Sequence, residues 1–279
     1  MYKRLFFLSF IAAWFLSCTP QPLTWVAIGD SITYLNDHPS ETGNRVKKGY
    51  MSQVVEQLPH ITYVNKGFNG WTSIGVAEKI DDLGLEKADI YTVFLGTNDW
   101  WAGCPVGTMA DYTDHTGAKT VYGAFRIIID KLKSLNPDAS VILLTPLQRG
   151  DFVCIDNYAN NAVGSYRAKA GRPLTDVIDA IRNIAAQDGL TVIDLYNESG
   201  ITLQNMVKFK RLKDPSSGSY KEYPYPDYAD IAFDPANDEY PYPVEAVDMT
   251  YDGLHPSDKG NAAIARLLVN IFKQIKRPL

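Results

Sequence analysis

The segment Trp25-Val26-Ala27-Ile28-Gly29-Asp30-Ser31 carries an apolar, partly β-branched run to a glycine and then presents a serine. Such a run reads as a buried strand, and the carboxyl ends of strands are where open α/β sheets keep their ligands. Gly29 lets the backbone turn sharply at that point. A serine so placed is a candidate nucleophile, or simply the cap of a following helix. As a nucleophile it needs a base and donors for the oxyanion that its attack creates. The far end of the chain offers the base, in Asp252-Gly253-Leu254-His255-Pro256. The Asp-x-x-His spacing lets the carboxylate fold back onto the imidazole, fixing its tautomer and stabilising its charged form.

Two more blocks lie between these ends, each just after a predicted strand: Asn65-Lys66-Gly67 and Gly96-Thr97-Asn98-Asp99. In this order the four blocks resemble the SGNH branch of the GDSL esterase/lipase family, over roughly residues 24–276. Ile32 stands where the family motif has Leu. The resemblance implies a serine hydrolase of carboxylic esters with Ser31 as nucleophile, His255 as base and Asp252 as its orienting acid. It also implies an oxyanion hole made by the Ser31 and Gly67 amides and the Asn98 side chain, and no cofactor. The implied fold is α/β: a flavodoxin-like three-layer α/β/α sandwich on a five-stranded parallel sheet. Without the resemblance, Gly67 reads as a β–α turn glycine and Asn98 as a turn residue.

The expected substrate-contacting residues are Asp30, Trp71, Trp100 and Arg149. Aromatic faces just behind the donor blocks suit a sugar ring or an acyl chain, while Trp101 is expected to pack at the rim. Arg149 meets an anionic substrate group or is merely solvated. The favoured substrate is an acetylated or short-acyl carbohydrate. Lipid acyl esters or thioesters, and glycan binding without catalysis, are the alternatives.

The elements that must position these residues follow from periodicity. Strands are predicted at residues 61–65, 90–95, 140–145 and 191–195, and helices at 50–58, 74–83, 120–135, 174–187 and 261–276. Strands alternating with helices of this length give a parallel sheet with helices on both faces. About residues 205–250 break the pattern. The stretch from Leu212 to Tyr251 holds seven of the chain's 17 tyrosines, with Tyr223-Pro224-Tyr225-Pro226 and Tyr240-Pro241-Tyr242-Pro243. It reads as an ordered insertion supplying tyrosines beside His255, or as one whose tyrosines only stitch a loop to the surface.

The chain has 279 residues, 46% apolar, and a net charge of −5. That is enough for one domain over residues 24–279, and no basic run suggests nucleic acid. Residues 1–18 read as a signal peptide: a basic start, a short apolar run, then Ser17-Cys18. The end resembles a bacterial lipobox, which makes Cys18 a lipidated, membrane-anchoring residue and residues 19–23 a tether of at most about 18 Å. Ordinary secretion is the alternative. The remaining cysteines, Cys104 and Cys154, form an even pair in an exported chain, and a disulfide between two rim loops is expected. His38, His60 and His115 lack partners at ligand spacing, so no metal site is expected.

Overall fold

The computed structural model describes residues 21–275. In chain order the first half runs β1 (Leu23–Gly29), α1 (Ser31–Tyr34), α2 (Tyr50–Gln57), β2 (Ile61–Gly67), α3 (Ser73–Glu78), β3 (Ile90–Phe94), α4 (Thr97–Ala102), α5 (Met109–Thr113) and α6 (Val121–Leu135). The second half runs β4 (Ser140–Leu144), β5 (Phe152–Val153), β6 (Asn161–Ala162), α7 (Thr175–Asp188), β7 (Thr191–Ile193), α8 (Leu195–Glu198), β8 (Lys210–Lys213), β9 (Tyr220–Tyr223) and α9 (Asp258–Phe272).

The main sheet has five parallel strands in the order β2-β1-β3-β4-β7. Each central strand sorts its side chains by the period of two. Val26 and Ile28, Tyr91 and Val93, and Val141 and Leu143 face α3, α6 and α7 through one buried cluster. Trp25 and Ala27, Ile90 and Phe94, and Ile142 and Leu144 face α2 and α9 through the other. Trp25 anchors that second layer, its ring edge-on to Phe272 at 4.9 Å and its Nε1 donating to Thr92 Oγ1.

Sheet order places the site. The chain lays β2 on one side of β1, then crosses to lay β3 on the other. In register, Gly29 pairs with Gly67 on one side and Phe94 on the other. The loops after β1, β2 and β3 therefore leave at one rim, and the reversal opens a crevice between the first and the third. Ser31 and Asn98 flank it.

Some boundaries differ from the sequence expectation. α3 stops at Glu78 rather than Leu83, and α9 begins at Asp258, where Ser257 caps the Gly260 amide. β1 already holds Leu23, which is buried and donates its amide to His60 O, so no free tether extends that far. Cys18 and the leader segment lie outside the described residues. Among the described residues no helix is long and apolar enough to cross a membrane.

The Tyr/Pro-rich insertion is ordered around the β8–β9 hairpin and a satellite core of Val153, Val207, Leu212, Tyr228 and Tyr242. Tyr240 and Tyr242 send their hydroxyls to the Val153 and Asp151 carbonyls. These two tyrosines fasten the insertion to the loop carrying β5, a phenol being able to bury its ring and satisfy its oxygen at once, while Tyr220 and Tyr223 bond within the insertion, to the Glu239 amide and the Asp214 carboxylate. Only Tyr251, at its end, lines the catalytic pocket.

The disulfide expectation fails, for both cysteines are free. Cys104 sits in a small crevice with Trp100, Arg172 and Val177, whereas Cys154 lines the main pocket. Cys154 lies not at the end of β4 but directly after β5, whereas Cys104 follows α4.

Candidate active site

Ser31 opens the single turn of α1, so its amide has no partner within the helix. Asp30 caps that turn, its Oδ1 accepting from the Ile32 amide at 2.9 Å. This turns the Asp30 carboxylate inward, 1% exposed, instead of into the pocket where substrate contact was expected. Burial raises its pKa from 3.8 to about 6, against the Ile32 amide and the nearby His255, which favour the charged form.

Asp252 and His255 sit in the tight turn before α9. Asp252 Oδ1 accepts from the Leu254 and His255 amides at 3.0 and 2.7 Å, and Oδ2 faces His255 Nδ1 at 2.7 Å. A carboxylate held by two amides has little freedom, so the imidazole is fixed with Nδ1–H donating. Its Nε2 is then the acceptor for Ser31 Oγ, 2.8 Å away. The ring is clamped by Tyr251 stacked on one face and Phe152 edge-on. Ser31, His255 and Asp252 form one continuous hydrogen-bonded relay.

Across the crevice, Asn98 lines the pocket and donates one amide hydrogen to Trp71 O at 3.0 Å, leaving the other free. Asp99, unremarked in the sequence reading, ties this turn to the loop after β2. Its fully buried carboxylate accepts from the Ser73 amide and, at 2.6 Å, from the Ser73 hydroxyl. Burial raises the Asp99 pKa, opposed by those bonds.

Gly67 is not free to donate to a substrate. Its amide is bonded to Asn65 Oδ1 at 2.9 Å, while Asn65 Nδ2 holds Thr33 O. A Cβ on Gly67 would fall onto the Tyr34 backbone nitrogen and 2.7 Å from the Thr33 carbonyl carbon. The Asn-x-Gly block thus packs β2 against the nucleophile's helix. Three residues on, Gly70 lines the pocket beside Ser31 and Asn98. It adopts φ +74°, and its amide has no acceptor among the described residues. The cue was the second glycine of the same turn, in Asn69-Gly70.

The pocket encloses about 390 Å³, between Leu35, Trp101, Phe152 and Ile155 on its apolar side and Glu41, Asn69, Asp156 and Asn160 on its polar side. Trp100 and Trp101 exchange their expected places. Neighbours on a helix point about 100° apart, whereas i and i+3 share a face. Trp101 therefore joins Asn98 in the pocket, and Trp100 is buried in the core with its Nε1 bonded to Arg172 O. Trp71 is half-buried, stacked on Phe68 at 4.6 Å, and contributes its carbonyl rather than its ring. Arg149 does line the pocket, although it is buried rather than solvated. Among the described residues, no three His, Cys, Asp or Glu side chains converge on a metal-sized site.

Comparison with known proteins adds to this geometry. The model of the GDSL-like lipase/acylhydrolase family matches residues 27–263. The crystal structure of a possible lipase from Chitinophaga pinensis is 58% identical, covering 90% of this chain and 98% of its own, with a TM-score of 0.89. A Lactobacillus plantarum protein is 20% identical, covering 92% and 99%, with a TM-score of 0.60. An acetyl xylan esterase is 18% identical, covering 89% and 99%, with a TM-score of 0.51. No curated protein matches the chain.

Proposed function

The chain belongs to the GDSL-like lipase/acylhydrolase family, and from that premise we propose an exported serine esterase that removes acetyl or short acyl groups from carbohydrate. The observation that carries the catalytic part is the relay from Ser31 Oγ through His255 to Asp252, at 2.8 and 2.7 Å. His255 Nε2 takes the serine proton as Oγ attacks the ester carbonyl, and Asp252 stabilises the imidazolium that forms. The oxyanion is met by the Ser31 amide, the Gly70 amide and the free hydrogen of Asn98 Nδ2. His255 then protonates the departing alcohol, leaving an acyl-Ser31 ester. Water, deprotonated by the same nitrogen, hydrolyses that ester and restores the serine.

The sugar preference is supported by a pocket whose volume suits a small ligand and whose lining pairs Trp101 with Glu41, Asn69, Asp156 and Asn160. Export and anchoring through Cys18 rest on the leader sequence, with soluble secretion as the alternative. The test is hydrolysis of p-nitrophenyl acetate, butyrate and octanoate by residues 19–279, beside Ser31→Ala. The expected outcome is a Ser31-dependent rate falling steeply with chain length. A rate that rises towards octanoate would move the substrate to lipids, and no hydrolysis by folded protein would refute the esterase.

A further inference from the structure

Arg149 is a cation without a counter-ion. Its residue is 1% exposed, yet no carboxylate of the described residues lies within ion-pair distance of it. Its guanidinium makes one hydrogen bond, from Nη1 to Thr97 Oγ1 at 3.2 Å, and its buried Nε has no partner. The Trp100 and Trp101 rings lie 5.5 and 5.7 Å from it, which offsets only part of the cost of taking the charge out of water.

The three acids whose charge acts on it, Asp252, Asp30 and Asp151, are committed elsewhere. Asp252 is held by the Leu254 and His255 amides and by Nδ1. Asp151 is held by the Gly164 amide, the Tyr166 hydroxyl and Lys210 Nζ. Asp30 caps α1. Burial lowers the Arg149 pKa to about 10, with Asp252 and Asp30 opposing, so the group stays charged at neutral pH. The backbone is pinned too, the Arg149 amide donating to Ser165 Oγ and its carbonyl accepting from the Ser165 amide at 2.7 Å. A fixed guanidinium fork with free donors, lining the same pocket as Ser31, Asn98 and His255, matches a planar carboxylate.

We propose that Arg149 is the subsite for a carboxylate carried by the substrate close to its scissile ester. This rests on the serine-esterase reading above. The carboxylate belongs either to the acyl part, as in a dicarboxylic half-ester, or to the alcohol part, as in an acetylated acidic sugar.

Two matched pairs test it, with acid release followed in a pH-stat: ethyl hydrogen succinate against ethyl butyrate, and acetylated glucuronic acid against acetylated glucose. In at least one pair the charged ester should have a kcat/KM higher by on the order of 10- to 100-fold, the range for a charge-assisted hydrogen bond. The favoured pair identifies which part carries the charge. Arg149→Met should bring that ratio to about one, whereas a purely structural role would lower both rates together. Should Arg149→Met not fold, succinate and glucuronate should still inhibit wild-type hydrolysis of p-nitrophenyl acetate competitively. Ser31-dependent hydrolysis with no charge preference in either pair and no such inhibition overturns the subsite and leaves the esterase standing. Absence of Ser31-dependent hydrolysis of every ester overturns both.

Discussion

Asp30→Asn should stabilise the protein and slow it. The Asp30 carboxyl is fully buried, and its pKa lies at about 6 against an ordinary 3.8. Below pH about 4 it is protonated in both folded and unfolded chains and contributes no difference. Between about 4 and 6 the folded chain keeps a proton that the unfolded chain has released, so stability falls as pH rises. Above that window the group is ionised in both states and the whole cost remains. At about 1.36 kcal/mol per pKa unit the cost is roughly 3 kcal/mol. Asparagine keeps the oxygen that caps Ile32 and removes the charge. In urea unfolding, the advantage of Asp30→Asn over wild type should grow from near zero at pH 4 to roughly 3 kcal/mol at pH 7.5. In a domain of this size that is about 6–12 °C in Tm. Turnover should fall, because the charge that helps stabilise the His255 imidazolium is gone. An offset that stays constant from pH 4 to 8 would refute the assignment of this cost to a buried carboxylate.

Further outcomes follow from the same geometry. Asn98→Ala should lose on the order of 10²–10³ in kcat with its unfolding transition intact, and a loss within about threefold would remove Asn98 from the oxyanion hole. Gly67→Ala should fail to fold or lose its cooperative transition, because the added carbon meets the α1 backbone. Gly70→Ala, whose Cβ meets nothing within 4 Å, should lose only the roughly 1–2 kcal/mol of a left-handed residue. Equal stabilities for the two variants would contradict their assigned roles. Unreduced, denatured protein beginning at Thr19 should take up two alkylating labels, on Cys104 and Cys154, and none would mean that the disulfide exists after all.

Asp252 and His255 were legible from their short spacing and Ser31 from its place at the end of a predicted strand, whereas the choice of Ser31 as nucleophile over helix cap and the oxyanion role of Asn98 came only with the resemblance carried by the four ordered blocks. The parallel sheet was legible for the related reason that continuous apolar strands alternate with amphipathic helices. Choosing Gly70 over Gly67 required knowing that Asn65 takes up the Gly67 amide. Exchanging Trp100 for Trp101 required knowing that α4 is a helix whose Asn98 face is the pocket. Asp30 lies next to the nucleophile yet caps its helix, a local bond that sequence adjacency conceals. The Cys104–Cys154 separation, the satellite tyrosine core and the burial of Arg149 all depend on the long connections after β4 and α8. No period governs those segments, and tertiary packing alone sets their course.

The central claim is that Ser31 is a nucleophile activated by His255. Treating folded protein with a fluorophosphonate and mapping the adduct by mass spectrometry tests this without prior choice of substrate. The account predicts one adduct on the peptide carrying Ser31, lost in Ser31→Ala and greatly slowed in His255→Ala. An adduct elsewhere, or labelling of Ser31 that is indifferent to His255, would contradict it.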